Sequence, residues 1–254
     1  MKKRYFTLVE LLVVIGIIGI LAGMVLGGIG LARASARATQ CQSNQSQTMK
    51  IIQQAMSANK DFLVSGSDFT DTPGKKAAWT RYLYGEGKDS SGEMKGKTAY
   101  IADMSVVRCP SFKYDKDEAL GALGANERKD ALAEAYGLVY RDGNPEGSAK
   151  FAGFDFRGTK YLKMSSYQIS PNQLVLGACS AKDAVPYDKA DALMYSGSWD
   201  GKATKIHSDK CNAFFLDGHS EGLAADELEK KYLPSASAGE PVKFPSAGWL
   251  DPDK

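Results

Sequence analysis

Both histidines of this 254-residue chain stand in one short stretch crowded with other donors: His207-Ser-Asp-Lys-Cys-Asn-Ala-Phe-Phe-Leu-Asp217-Gly218-His219. Imidazole and carboxylate are the groups of acid–base catalysis and of metal ligation. Nine residues separate His207 from Asp217, so a strand of that length brings the two together only if the chain folds over. In that case the imidazole would hydrogen-bond the Asp217 carboxylate and fix the Asp217-Gly218 turn, a purely structural role. Metal binding by His207, Asp217 and His219, with Asp209 or Glu221 nearby, is the second reading. Catalysis is the third, and it lacks a partner: a His–Asp pair needs a nucleophile, and no Ser or Cys here has an elbow or triad context. The chain is therefore not expected to be an enzyme, and no cofactor, metal ligand or catalytic residue is assigned.

Cys41, Cys109, Cys179 and Cys211 form no CxxC pair, which argues against a zinc ribbon or a thioredoxin-type motif. Their even number permits disulfides if the domain is exported. The pairing expected is Cys41 with Cys109, tying a helix to the domain, and Cys179 with Cys211, joining two strand ends. Four free buried thiols are the alternative.

A third chemical group stands apart. Glu10 sits at the head of an apolar run, and from Leu11 to Ala32 there is no charge. At about 1.5 Å per residue this run matches the ~30 Å hydrocarbon core of a bilayer. It is too long for the apolar region of a signal peptide. Beyond it, Ala34, Ala38, Cys41, Met49, Ile52 and Met56 recur at helical spacing. The expectation is one continuous helix over 6–58, in lipid over about 11–32 and amphipathic after that. Lys2, Lys3 and Arg4 favour a cytoplasmic N-terminus. A carboxylate at the edge of a membrane span is either close enough to the headgroups to be tolerated or awaits a cation from another subunit. Gly19, Gly23 and Gly27 make two small-xxx-small steps, which let membrane helices approach closely.

Lys-Lys-Arg, then Phe-Thr-Leu-Val-Glu-Leu-Leu, then a long apolar run resembles the N-terminus shared by type IV pilins and type II secretion pseudopilins. The resemblance implies a leader, residues 1–5, removed by a prepilin peptidase between Tyr5 and Phe6, and N-methylation of Phe6. It implies that Glu10, at the fifth mature position, neutralises the terminal amine of a neighbouring subunit during assembly. The sequence departs from the family pattern at Tyr5, where Gly is usual, and at Gly27, where many pilins carry Pro. The spacing of His207 from Asp217-Gly218 is similar to the His, nine residues, Asp-Gly signature of a large group of pilin-like proteins. Cys41-Gln-Ser-Asn, Arg108-Cys109-Pro110-Ser111 and Ala135-Tyr136-Gly137 agree with that group.

Residues 59–254 read as a globular domain. Helices are expected at Lys75–Tyr84 and Ala125–Tyr136, and a helical turn at Glu227–Tyr232. Strands are expected at Thr98–Val107, Leu138–Tyr140, Leu174–Ala178 and Ala213–Leu216, with Asp217-Gly218 as a two-residue hairpin turn. The tail from Ser235 reads as irregular. Helix first and strands after make an α+β fold, pilin-like, with the long helix packed on an antiparallel sheet. Charge excludes one class of partner. The 32 Lys and Arg against 30 Asp and Glu give +2; loss of Lys2, Lys3 and Arg4 leaves 29 against 30, or −1. Neither value suits nucleic-acid binding. The partners expected are other pilin or pseudopilin subunits, the prepilin peptidase and inner-membrane lipid, with the domain periplasmic or extracellular. A membrane-anchored binding module that does not polymerise is the rival; Trp79, Trp199 or Trp249 exposed in a groove would favour it.

Overall fold

The computed structural model describes residues 7–58, 62–63, 79–84, 99–112, 114, 135–140, 155–156, 159–160, 162–163, 169–182, 193–195, 201–233, 242–243 and 249–250. Helix α1 runs unbroken from Leu8 to Ala58, 51 residues, and a short helix α2 covers Trp79–Tyr84. In chain order the strands are β1 (Phe62–Leu63), β2 (Gly137–Tyr140), β3 (Asp155–Phe156), β4 (Thr159–Lys160), β5 (Leu162–Lys163), β6 (Val175–Ala178) and β7 (Ser180–Lys182). They continue as β8 (Leu193–Tyr195), β9 (Gly201–Thr204), β10 (Cys211–Phe215), β11 (Ser220–Leu223), β12 (Tyr232–Leu233), β13 (Val242–Lys243) and β14 (Trp249–Leu250).

Helix α1 changes character along its length. From Leu8 to Met24, and again at Leu31, its large apolar side chains stand exposed. This half is long and apolar enough to cross a membrane. From Cys41 onward the buried positions are Cys41, Gln45, Thr48, Met49, Ile52, Ala55 and Met56. That is the i, i+4, i+7, i+8 stripe of a helix lying on a core. Cys41, Met49, Ile52 and Met56 fall on it as expected, whereas Ala34 is exposed. Gln45 and Thr48 are polar and yet buried, because each meets backbone carbonyls of the domain.

The central sheet has the order β11-β10-β6-β2-β8. It is antiparallel except at one edge, where β8 runs parallel to β2. Every residue of β6 and β10 is buried, so both faces at the sheet centre are covered. Asn212 of β10 donates from its side chain to Ala38 O at 2.9 Å, so that side chain faces α1. Close packing at the centre depends on Gly177: a Cβ there would overlap the Phe214 ring and the Gly137 carbonyl.

Several local expectations change. Thr98–Val107 is not a strand over its described part; Met104–Val107 is a turn of 3-10 helix. Asp103 caps it, accepting from Ser105 N at 2.9 Å and Ser105 Oγ at 2.6 Å. The β10–β11 hairpin has a three-residue loop, Leu216-Asp217-Gly218, instead of two. Phe215 O accepts from Gly218 N and Phe215 N donates to His219 O, both at 3.0 Å, and Gly218 takes φ 96°. The late helical turn begins at Ala225, earlier than expected, because Glu227 accepts from Ala224 N at 2.9 Å. The tail is not wholly irregular, since β13 pairs with β12 and β14 with β9. The expected helix Ala125–Tyr136 lies outside the described residues apart from Ala135 and Tyr136, which are not helical.

Candidate metal centre

Four segments far apart in sequence converge beside α1. Cys41 comes from the buried stripe of the helix. Cys109 follows the 3-10 turn, Cys179 lies between β6 and β7, and His207 stands between β9 and β10. Their three Sγ atoms and one imidazole nitrogen all lie within 4.8 Å of one another, and all four residues are buried. Cys41 Sγ is 3.3 Å from Cys179 Sγ. His207 Nε2 is 3.3 Å from Cys109 Sγ and 3.6 Å from Cys179 Sγ.

Each donor is fixed by its own backbone contacts. The segment carrying Cys109 is held to α1 by Thr48 Oγ1, which donates to Val106 O at 2.8 Å, and by Asn44 Nδ2, which donates to Ser105 O and Arg108 O. Tyr136 OH donates to Arg108 O at 2.8 Å, and Tyr114 OH to Cys109 O at 2.8 Å. Cys179 is pinned from two strands: its N–H donates to Asn212 O and its carbonyl accepts from Thr204 N. His207 opens a tight turn closed by paired bonds with Lys210, N to O at 3.0 Å and O to N at 3.1 Å. Ser208 and Asp209 inside it take φ 51° and 64°, the left-handed pair of a type I′ turn. The other imidazole nitrogen, Nδ1, lies 3.4 Å from Ser111 Oγ.

The electrostatics divide the thiols. Burial, the largest influence on Cys41, opposes its ionisation, but hydrogen bonds from Cys109, Cys179 and His207 prevail and hold it well below the usual thiol range. Burial drives Cys109 and Cys179 well above it. Cys211 stays outside the cluster because neighbouring side chains on a strand point to opposite faces. Asn212 faces α1, so Cys211 turns away and donates to Cys179 O at 3.4 Å; burial pushes its thiol up to about 12.

These contacts revise the sequence expectations. All four cysteines are free thiols. Cys41 Sγ lies 3.3 Å from Cys179 Sγ and is not bonded to Cys109, and Cys179 is not bonded to Cys211. His207 does not meet Asp217; the two stand at opposite ends of β10. The nine intervening residues are the turn, the strand and Leu216. Asp217 Oδ1 instead accepts from His219 N at 3.1 Å and pairs with His219 Nδ1. The His219 ring stacks on Phe215 at 4.1 Å. The set His207, Asp217 and His219 is therefore not assembled. Cys41, Cys109 and His207 all lie in segments singled out by resemblance, but neither spacing nor composition joins them to Cys179.

Searches of protein-family models, of curated proteins and of solved structures found no match.

At the other end of the chain, Tyr5 and Phe6 lie outside the described residues. Glu10 Oε2 accepts from Thr7 N at 2.8 Å and Thr7 Oγ1 at 2.7 Å, and Glu10 N donates to Thr7 Oγ1 at 3.3 Å. This reciprocal capping box was legible as Thr-x-x-Glu and is a local use for the carboxylate. Trp79 is buried, with Nε1 donating to Tyr136 O at 2.9 Å; it forms no exposed groove. Trp199 and the side chain of Trp249 lie outside the described residues.

Chemically, four converging donors of this kind can hold one soft or borderline metal ion, or two of the thiols can be oxidised together.

Proposed function

We propose that the protein is a structural subunit of a type IV pilus-like or type II secretion pseudopilus-like filament. It has a pilin-like fold and is anchored in the inner membrane before assembly. One observation carries the reading: a single unbroken helix is bare and apolar over Leu8–Met24 and forms part of the domain core from Cys41. Such a helix needs lipid or copies of itself to cover its first half, and lipid-to-protein exchange is what filament assembly requires. Gly16, Gly19, Gly23, Gly28 and Gly30 have nothing within 4 Å of an added Cβ, which leaves that surface free for close helix contact.

Removal of residues 1–5 would leave the Phe6 amine next to Thr7. The Glu10 carboxylate of a neighbouring subunit would then exchange its local bonds with Thr7 for that amine. The domain, including the Cys41 cluster, would face the periplasm or the outside. The test is mass spectrometry of the N-terminus of membrane-purified protein, with electron microscopy of sheared filaments. A methylated Phe6 terminus is expected, with filaments that Glu10→Ala abolishes. An intact Met1 and no filaments would reduce the helix to a simple anchor for a non-polymerising module.

A further inference from the structure

We propose that Cys41, Cys109, Cys179 and His207 bind one Zn2+ ion, which staples the long helix to the sheet. Tetrahedral zinc with bonds near 2.3 Å to sulfur sets neighbouring sulfurs about 3.8 Å apart. The observed separations, 3.3 Å between Cys41 and Cys179 and 3.3–3.6 Å from His207 Nε2 to the Cys109 and Cys179 sulfurs, are close to that size and surround a common point. A disulfide needs about 2.05 Å between sulfurs, and it would leave one thiol and the imidazole converging on nothing.

Two further features point to a metal. Ser111 Oγ lies beside His207 Nδ1, so an Nδ1–H can donate there and leave the Nε2 lone pair facing the sulfurs. Gln45 Nε2 lies 3.6 Å from Cys179 Sγ while its other N–H meets Asn212 O. It is a neutral donor aimed at sulfur, as a buried thiolate requires. On binding, each cysteine ligates as a thiolate, any proton it still holds passing to solvent, and the imidazole ligates in its neutral form. The centre then carries a net charge of −1, which the Gln45 amide helps to stabilise. All four ligands are protein groups and all are buried, so the ion has no position left for water or substrate. It is a structural site and not a catalytic one. Its ligands come from four elements, so a single ion fixes α1, the 3-10 segment, the β6–β7 junction and the β9–β10 turn at once.

The experiment is elemental analysis of the full-length protein, purified in detergent without chelator. About one zinc per chain is expected. Cys211→Ser should keep it, because Cys211 is outside the cluster, whereas Cys41→Ser and His207→Ala should lose it. Should those two variants fail to fold, the wild-type protein still decides. Exchange with Co2+ should give the intense visible bands and sulfur charge-transfer absorption of a tetrahedral thiolate site. Folded protein without zinc, with two fewer titratable thiols in denaturant, would overturn the proposal in favour of a disulfide. Stoichiometric iron or copper would overturn the choice of zinc.

Discussion

Gln45, fully buried on α1, donates from Nε2 to the carbonyl of Asn212 on β10 at 2.8 Å. Its Oε1 accepts from Ser220 Oγ at 2.6 Å on the next strand. One amide thereby satisfies two strands. Gln45→Leu should therefore lower the stability of the detergent-solubilised protein by about 1–3 kcal/mol, the cost of leaving buried partners unmade. Ser220→Ala should cost less, since the partly buried site can admit water. Thermal unfolding of both variants checks the order.

Gly177 predicts a larger loss. A methyl group there meets the Phe214 ring and the Gly137 carbonyl, one of them backbone that cannot swing away. Gly177→Ala should cost about 1–3 kcal/mol or more through overpacking, and it should weaken the β6–β2 pairing. Hydrogen exchange at Leu138 and Gly177 amides would report that loss directly. Unchanged protection would mean that the sheet spreads without penalty.

A pH-dependent contribution is expected from Asp103. The Ser105 hydroxyl and N–H donate to its carboxylate and hold its pKa below the usual aspartate range. A carboxyl whose folded pKa is depressed adds stability above its unfolded pKa, about 3.9, and that stability is lost as pH falls through the lower folded value. Asp103→Ala should cost about 0.5–2 kcal/mol near neutrality. The gap between wild type and variant should close in acid, below about pH 4. A gap that stays constant down to pH 2 would show that the cap does not depend on charge.

The bare face of α1 can be probed without disturbing the domain. Gly23 has nothing within 4 Å of an added Cβ, so Gly23→Ile should leave domain unfolding unchanged. If the helix packs on copies of itself, the same substitution should remove filaments from sheared preparations. Normal filaments in Gly23→Ile would exclude this face from the subunit contact.

Sequence made α1 legible because two strong periodicities meet in it: an uninterrupted apolar run, then a helical stripe from Cys41 to Met56. It hid Gln45 and Thr48, since a polar residue on a buried face is recognised only with its partner carbonyl in view. Strands β2, β6 and β10 were legible as short apolar runs. The Met104–Val107 turn was not: β-branched residues suggested a strand, and the Asp103 cap overrode that propensity. The candidate centre was the least legible feature. His207 lies 98 positions from Cys109 and Cys41 lies 138 from Cys179. Local spacing carries no trace of such convergence. Closeness in sequence drew His207 towards Asp217, when β10 in fact holds them apart.

Strand β10 is joined to α1 along its whole length. The Cys41 cluster lies at the His207 end, Asn212 reaches Ala38 and Gln45 in between, and Gln53 Nε2 donates to Leu216 O at 3.1 Å at the far end. Residue numbers rise in the same direction on both elements, so helix and strand run parallel. Roughly 18 Å of helix from Cys41 to Gln53 matches roughly 17 Å of strand from Cys211 to Leu216. A pull along the axis of α1 therefore loads these links side by side, in shear, and no single one can open first. The helix and the sheet centre must yield together, which makes the domain resistant to being stripped from its own stem.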